Sequence, residues 1–245
     1  MGSVTPRDRQ SRSIARGAAA LLVAVAALGV ATLPALTRGA AQARAAEFDN
    51  ALAGGVAAPP IVWKPIRFGP KRQSEMAAYS RRHYGVATYK LRARAIVLHF
   101  TAGGGWQSAW NYFSHDVPDP EFHELPGPVA HFIIDKDGTI YQLLNTHNRG
   151  RHTYGLNHVA IGIEFVQEGT YGAHWADLQI LRRPAQITAG LKLVRLLRAK
   201  YHIALKNVIG HSMALGSPFY KDLLGLRSAH GDWQRRDVLQ FRARL

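Results

Sequence analysis

The stretch that decides the fold is Ala95 to Gly105, which reads A-I-V-L-H-F-T-A-G-G-G. Its apolar, β-branched first half is typical of a buried strand, and the glycine cluster ends that strand in a loop. His99 therefore lies near the carboxyl end of the strand, where open α/β sheets place their ligands. A single histidine in an apolar strand is more often a packed core residue, so the rest of the chain has to decide between the two interpretations.

Two later stretches carry polar groups of the same kind. A short strand-like segment, residues 207–210, ends at His211, and an H-x-D triplet follows with His230 and Asp232. If His99, His211 and Asp232 converge, two imidazoles and one carboxylate form a three-ligand zinc site with one open position. The histidines are far apart in the sequence and there is no H-E-x-x-H, so spacing alone is weak support and the chain is not a zincin.

Glu164 is an anomaly in the predicted strand Ala160–Val166, A-I-G-I-E-F-V. A carboxylate inside an apolar strand is costly unless it is paired, protonated or near a metal, and a structural salt bridge is one explanation. Functional carboxylates often occur in such surroundings. Beside a zinc site, Glu164 would act as a general base that takes a proton from water and passes it to the leaving group. The chemistry would be hydrolysis of an amide or an ester.

The N-terminus reads as an export signal. Four arginines in the first sixteen residues precede an apolar run, Gly17–Leu36, and the A-x-A sequence at 43–45 is typical of a signal peptidase site. An uncleaved membrane anchor is the alternative, since about twenty apolar residues can span a bilayer. Pro34 and the A-x-A sequence favour cleavage, and the missing arginine pair favours the general secretory route. Residues 1–45 are predicted to be a signal peptide.

Charge and cysteine content restrict the partners. The formal net charge is +15, and removal of residues 1–45 leaves 25 basic and 15 acidic side chains, or +10. Such a charge favours anionic partners, and for an exported protein an anionic cell-wall polymer fits better than nucleic acid, for which no basic helix is visible. Solubility alone explains part of the charge. The absence of cysteine excludes disulfides, a lipoprotein anchor and thiolate ligands.

The remaining patterns predict an α/β fold with a single domain, in which a central mixed β-sheet is flanked by helices. Residues 46–71 read as a linker or N-terminal extension, and residues 72–245 as the domain. Val129–Leu144 is the clearest hairpin, with its turn at D-K-D-G. We expect helices ending at Gly85, over 106–113, from Pro184 to Tyr201 and over 232–245 with Asp232 as N-cap, and a helical turn over 218–224; residues 170–181 are ambiguous.

Four motifs, in one order between Ile96 and Trp233, resemble the zinc-dependent N-acetylmuramoyl-L-alanine amidase family, which includes phage lysozyme-type amidases and peptidoglycan recognition proteins. They are I-V-L-H-F-T-A-G-G, V-A-H-F-I-I-D-K-D-G-T-I-Y-Q-L, H-T-Y-G-L-N-H-V-A-I-G-I-E-F-V and V-I-G-H-S. The resemblance implies a peptidoglycan recognition protein-like fold. It also implies cleavage of the amide between the lactyl group of N-acetylmuramic acid and L-alanine.

The resemblance also assigns roles to residues. His99 and His211 match the zinc histidines, and Glu164 matches the catalytic carboxylate of bacterial members. Other members have a tyrosine where this chain has Ala130, so the chain looks like the glutamate type. The residues expected to contact substrate are His131, His152 and Asn157.

Two alignments with the family motif are possible, and they assign the third zinc ligand to different residues. The family usually shows K-x-D-P-G, whereas this chain has H-G-D-W at 230–233. Equal spacing places Asp232 on the zinc and His230 at the position of the lysine that stabilises the oxyanion. The other register makes His230 the ligand and leaves Arg227 as the cation. We prefer the first because K-x-D and H-x-D have equal spacing.

Three functions remain open at this point. The leading one is a secreted zinc amidase that acts on peptidoglycan as a monomer, without nucleic acid and without stable membrane association after signal cleavage. A non-catalytic peptidoglycan-binding module of the same fold is the second, since function belongs to the site and not to the fold. A zinc hydrolase with another amide or ester substrate is the third.

Overall fold

A computed structural model of the chain describes residues 55–245. The predicted signal peptide and the start of the predicted extension lie outside the described residues. Over residues 55–245, no helix is both long and apolar enough to cross a bilayer.

The described residues form six strands and five α-helices. The strands are β1 (Ile61–Trp63), β2 (Ala95–Ala102), β3 (Phe132–Ile134), β4 (Ile140–Gln142), β5 (Ala160–Glu168) and β6 (Val208–Gly210). The helices are α1 (Pro70–Tyr84), α2 (Trp106–Ser114), α3 (Ala173–Arg182), α4 (Pro184–Tyr201) and α5 (Arg235–Arg242), with 3₁₀ turns at Leu205–Asn207 and His211–Gly216.

The strands form one mixed sheet in the order β1-β4-β3-β5-β2-β6. Every neighbouring pair is parallel except β3 and β4, which form the predicted hairpin. Its turn is closed by a 3.0 Å hydrogen bond from Gly138 N to Asp135 O, and Gly138 has φ +88°, which glycine adopts without steric cost. The predicted fold class is therefore confirmed.

The alternation of side chains along β2 and β5 separates the two faces of the sheet. Ile96 and Leu98 of β2, with Ile161 and Ile163 of β5, point into the large core beneath α3, α4 and α5. The residues between them point to the opposite face, which α1, α2 and the long loops cover. His99 and Glu164 belong to this second set, so the fold turns both of them away from the main core.

The sheet begins earlier in the chain than predicted. Ile61–Trp63 lies within the stretch interpreted as an extension, yet it pairs with β4, with Ile61 opposite Ile140. β1 is a three-residue edge strand in which Ile61 is half-buried and Val62 and Trp63 are exposed. Three residues are too few to show the alternation by which a strand is recognised in a sequence. The folded domain therefore includes residues before the predicted boundary at 72.

The C-terminal helix begins later than predicted. It starts at Arg235, and Asp232 does not cap it. The carboxylate of Asp177 in α3 accepts the backbone N–H groups of Trp233 and Gln234 at 3.0 and 2.8 Å. Because a residue distant in sequence fills the capping role, Asp232 is free for other contacts.

The structure also settles the conformation of two segments in the C-terminal half of the chain. Residues 170–181, which are ambiguous in sequence, contain helix α3, whose face carrying Ala176 and Ile180 is buried. Residues 218–224 form turns and no helix.

Gln186 offers a test of how the core is held. It is fully buried, and its amide donates to the carbonyls of Ile134 and Val166, both at 3.0 Å. Substituting Gln186→Met leaves two buried carbonyls without donors, so we expect a loss of about 2–4 kcal/mol in the free energy of unfolding. Urea unfolding measures this loss. The exposed Gln107→Met is the matched control, and an equal effect at both positions would contradict the assignment.

Candidate metal centre and active site

Three adjacent parallel strands bring the polar residues to one level of the sheet. The register of β2 and β5 places His99 opposite Glu164. The register of β2 and β6 places Leu98 opposite Gly210, so His211 follows at the level of His99. The carboxyl ends of the strands thus present these three side chains together, although they come from distant parts of the sequence.

His99, His211 and Asp232 form a compact set of donor atoms. The Nδ1 atoms of His99 and His211 lie 3.1 Å apart, and each lies 3.1 Å from a carboxylate oxygen of Asp232. Ligands at 2.0–2.1 Å from a tetrahedral zinc ion lie about 3.3 Å from one another. Two facing Nδ1 atoms share one proton at most, so the cluster retains an unshared lone pair. Both the chemistry and the spacing of the donors fit a zinc ion.

The charge states of these groups suit a cation. Burial, together with the neighbouring His211, lowers the pKa of His99 to about 4, so its imidazole is neutral at pH 7. Burial opposes ionisation of Asp232, but His211 and His99 outweigh burial and hold the pKa of its carboxyl well below its usual range. A neutral imidazole and an ionised carboxylate are the forms that bind zinc.

A chain of hydrogen bonds sets the tautomer of His99. His152 Nε2 donates to Ala160 O at 3.2 Å, which leaves His152 Nδ1 as an acceptor. His99 Nε2 lies 3.1 Å from that acceptor and 3.3 Å from Thr153 Oγ1. Since His99 Nε2 carries the proton, its Nδ1 lone pair faces the cluster. His152 therefore orients a ligand, in addition to lining the pocket.

Asn157 and His131 lie behind this chain, and the prediction that they contact substrate is corrected. Asn157 is fully buried, and its Oδ1 accepts the backbone N–H groups of His152 and Thr153. His131 is also fully buried, accepts from Gly162 N and donates to Asn148 O. Both residues use their polar atoms to hold the loop that carries His152.

The cluster forms the floor of a 450 Å³ cavity that also contains Glu164. Glu164 is 8% exposed, and its Oε2 has no hydrogen-bond partner. Burial, and then the charge of Asp232, raise the pKa of Glu164 to about 8. An unpaired carboxyl group at a metal-binding cluster is poised to exchange a proton near neutral pH.

One wall of the cavity comes from α2 and the proline-rich loop after it, through Tyr112, Phe113 and Pro128. Arg151 holds this loop in place from below. Its buried guanidinium pairs with Asp119 and donates to the carbonyls of Glu124 and Pro126.

His230 also lines the cavity, outside the donor cluster. Its ring stacks on His211 at 3.9 Å, and its Nε2 is 3.5 Å from Glu121. Burial and His211 lower the pKa of His230, so it offers an N–H donor and not a full positive charge at pH 7. Arg227 lies over the ring of Tyr220 and is not among the lining residues. Of the two registers, the one with Asp232 as third donor matches this geometry.

A family model described as N-acetylmuramoyl-L-alanine amidase matches residues 89–222, more than half of the chain. This chain belongs to the N-acetylmuramoyl-L-alanine amidase family.

Individual relatives and solved structures match this chain over shorter stretches or at low sequence identity. Peptidoglycan recognition protein 3 of Homo sapiens is 44% identical over 36 residues, which cover 15% of this chain and 11% of that protein. The protein of the same name from Mus musculus is 26% identical over 94 residues, covering 37% of this chain and 27% of that protein. The matches thus span well under half of these relatives. The structure of the endolysin N-acetylmuramoyl-L-alanine amidase LysCS from Clostridium intestinale URNW is 25% identical with a TM-score of 0.44, covering 64% of this chain and 84% of that one.

In this family member, Trp233 fastens the loop of Asp232 to both histidine strands. Its indole donates to the carbonyl of His99 at 3.1 Å, and its own carbonyl accepts from Ser212 Oγ at 2.9 Å. The loop lies so close to β6 that a Cβ on Gly210 would be 1.7 Å from Trp233 O. Trp233 itself has φ +51°, a conformation that L residues rarely adopt.

Sequence reasoning missed Trp233 and Asp177 as supports of the site. The signal for Asp177 was a carboxylate on the apolar face of an amphipathic segment. No pattern in the sequence indicates the contacts of Trp233.

His152 gives the first test of the amidase-family site. Removing its acceptor by His152→Ala leaves the tautomer of His99 less constrained, so we expect zinc affinity to fall about 10–100-fold. Competition with a chromogenic chelator measures the affinity. His147→Ala, an exposed histidine in the same loop, is the control. Unchanged affinity in a folded His152 variant would refute the orienting role.

Glu164 gives a second test through stability. Its pKa of about 8 exceeds the ordinary 4.5, so between these values the folded state keeps a proton that the unfolded state releases. The stability of the zinc-free protein therefore falls as pH rises through this window. Glu164→Gln removes this pH-dependent contribution. We therefore expect the free energy of unfolding of the variant, relative to that of the parent, to rise by about 2–5 kcal/mol as the pH is raised from 5 to 8. Urea unfolding in chelator at both pH values measures the gain, and a pH-independent difference would count against the buried, protonated carboxyl.

Proposed function

We propose that this protein is a zinc-dependent amidase that hydrolyses the bond between N-acetylmuramic acid and L-alanine in peptidoglycan. The observation that carries the proposal is the unpaired carboxyl of Glu164 on the floor of the cavity that holds the donor cluster. Family membership supports the substrate class.

His99, His211 and Asp232 are the residues that would hold the zinc ion. A bound zinc ion lowers the pKa of water toward 7 and polarises a carbonyl oxygen. The cavity that these three residues line would leave room for a water molecule and the scissile amide.

Glu164 moves the proton in the proposed reaction. In its ionised form, which a pKa of about 8 leaves accessible near neutral pH, Glu164 takes a proton from the attacking water as the water oxygen bonds to the lactyl carbonyl carbon. It then gives that proton to the amide nitrogen as the C–N bond breaks. The second proton of the water also passes to the amine, so the products are a lactyl carboxylate and a protonated amino terminus on L-alanine, and atoms and charge balance. A carboxyl with a pKa that burial has raised can perform both transfers near neutral pH.

We infer that His230, which lines the cavity, assists the reaction. Its imidazole presents an N–H donor beside the cluster, which would stabilise negative charge on the carbonyl oxygen. Because the group is neutral, this stabilisation is weaker than a lysine ammonium would provide. We also propose that the protein reaches its substrate by export, with residues 1–45 as the signal peptide.

The main rival is a peptidoglycan-binding module without catalysis. Such a module gains nothing from a buried carboxyl without a partner, whose burial costs stability at neutral pH. Glu164 therefore favours catalysis over binding alone. A zinc hydrolase with another amide or ester substrate would share the site and is distinguished by the products it releases.

Glu164→Gln tests the role of the base. We expect release of L-alanine amino termini from purified peptidoglycan to fall about 10²–10⁴-fold, because proton transfer is lost. Zinc content stays at one ion per chain, because no ligand changes. The control is Glu168→Gln at the end of the same strand, where the carboxylate is 40% exposed and pairs with Lys136. A fully active Glu164 variant would remove the base assignment.

His211→Ala tests the metal. We expect the variant to lose both stoichiometric zinc and cleavage, as measured by elemental analysis and by the same amino-terminus assay. Wild-type protein that binds peptidoglycan but holds no zinc and cleaves nothing would instead support the recognition module.

A further inference from the structure

Positive charge is concentrated in the last third of the chain. Residues 169–245 contain nine arginines, four lysines, four aspartates and no glutamate. The preceding described residues, 55–168, contain 12 basic and 9 acidic side chains. Composition alone therefore predicts that positive charge is unevenly distributed over the surface.

The structure sharpens this imbalance, because none of the four aspartates faces open solvent. Asp177 and Asp237 are fully buried. Asp222 is 1% exposed and contacts His83. Asp232 belongs to the donor cluster in the cavity. Among the described residues of this segment, the side-chain charges that reach the surface are all positive.

The basic side chains lie together on α4, α5 and the turns beside them. Arg235 and Arg242 are seven residues apart, so they share one face of α5. Arg242 donates to the carbonyls of Lys206 and Val208, and Arg195 of α4 donates to the carbonyl of Arg244. We call this surface the basic face; it consists of Lys192, Arg195, Lys206, Arg235, Arg242 and Arg244.

The basic face extends away from the cavity. Its near end, Arg235, follows Asp232 by three residues. Its far end is at Lys206, which precedes β6, whereas His211 follows that strand. Helix α5 spans about 12 Å between these ends, at 1.5 Å per residue. A ligand lying along the face would therefore pass beside the cavity without covering it.

We propose that the basic face binds a phosphodiester-linked anionic polymer of the cell wall and so holds the enzyme on its insoluble substrate. This inference rests on the proposed function only for placing the protein at the wall. Ammonium and guanidinium groups both pair with phosphate oxygens. Arg195, Arg242 and Arg244 donate to backbone carbonyls, which fixes the positions of their positive charges. Lys192, Lys206 and Arg235 are exposed to a ligand. The face lies along packed helices, which suits an extended polyanion held by charge.

Nucleic acid is the less favoured partner. Proteins that bind single strands combine positive charge with aromatic side chains on which bases stack. No aromatic side chain of helices α4 and α5 is exposed, and the large apolar residue that they do expose is Leu239. Charge without stacking favours a polymer that has no bases.

The test compares two triple variants of the zinc-loaded full chain. In the first, K192E/K206E/R235E reverses three exposed residues of the basic face. In the control, R67E/R81E/R92E makes the same charge change at exposed positions outside it. Binding is measured by co-sedimentation with purified walls across a salt series. Parallel samples use walls stripped of phosphodiester polymer with hydrofluoric acid.

We expect the basic-face variant to bind intact walls at least tenfold more weakly than the wild type and the control, with a shallower dependence on salt. On stripped walls, wild-type binding falls to the level of that variant. All three proteins cleave a soluble muramoyl peptide equally. If none cleaves it, the proposed function fails while the binding result still reports on the basic face.

Several outcomes would overturn the inference. Equal weakening of both variants would show that net charge alone matters. Face-dependent binding that persists on stripped walls would assign the partner to peptidoglycan carboxylates. Tighter face-dependent binding to duplex DNA or to vesicles of anionic phospholipid would assign the face to that partner instead.

Discussion

The parallel register of β5, β2 and β6 is the constraint on which the rest of the site depends. Because side chains alternate along a strand, a shift of one residue in β2 would send His99 into the main core and bring Leu98 to the cavity. The observed register instead places Glu164, His99 and His211 side by side on one face. The apolar residues of β2 and β5 on the other face maintain this register through the core beneath α3, α4 and α5.

Asp232, the third donor, lies on a loop, and its position is set by hydrogen bonds and close contacts of the backbone and not by strand register. Asp177 caps the turn that follows Asp232, Trp233 ties that turn to β2, and Gly210 permits the close approach of β6. Trp233 adopts a left-handed backbone conformation that costs free energy. The surrounding contacts maintain it, so the position of the carboxylate is set by parts of the chain more than fifty residues apart.

The electrostatics of the cavity follow from burial more than from surface charge. Burial keeps His99 neutral and raises the pKa of Glu164 to about 8, while the two histidines keep Asp232 ionised. These states separate the metal-binding role from the proton-transfer role within one small volume. Most of the net positive charge of the described residues lies in residues 169–245, and the basic face on α4 and α5 is outside the donor cluster.

Much of this arrangement was predictable from sequence, and the successes share a physical basis. Periodicity and turn chemistry are local, so β2, β5, the hairpin at Asp135–Gly138 and helix α4 were predicted close to their observed bounds. The wrong predictions arise where local patterns are too short or where a distant residue intervenes. The short edge strand β1 has too few residues to show a period, and helix α5 begins late because the cap is Asp177, which is distant in sequence.

By itself, the sequence determined the fold class, the apolar strands and the identity of His99, His211, Asp232 and Glu164 as the unusual polar groups, because these are properties of composition, order and periodicity. Only the tertiary structure decided which groups meet. It placed Asp232 in the cluster and His230 beside it, turned His131 and Asn157 inward as supports, and buried Asp177 and Asp237 beneath the basic face. Those outcomes depend on register and on hydrogen bonds between distant segments, which no local pattern records.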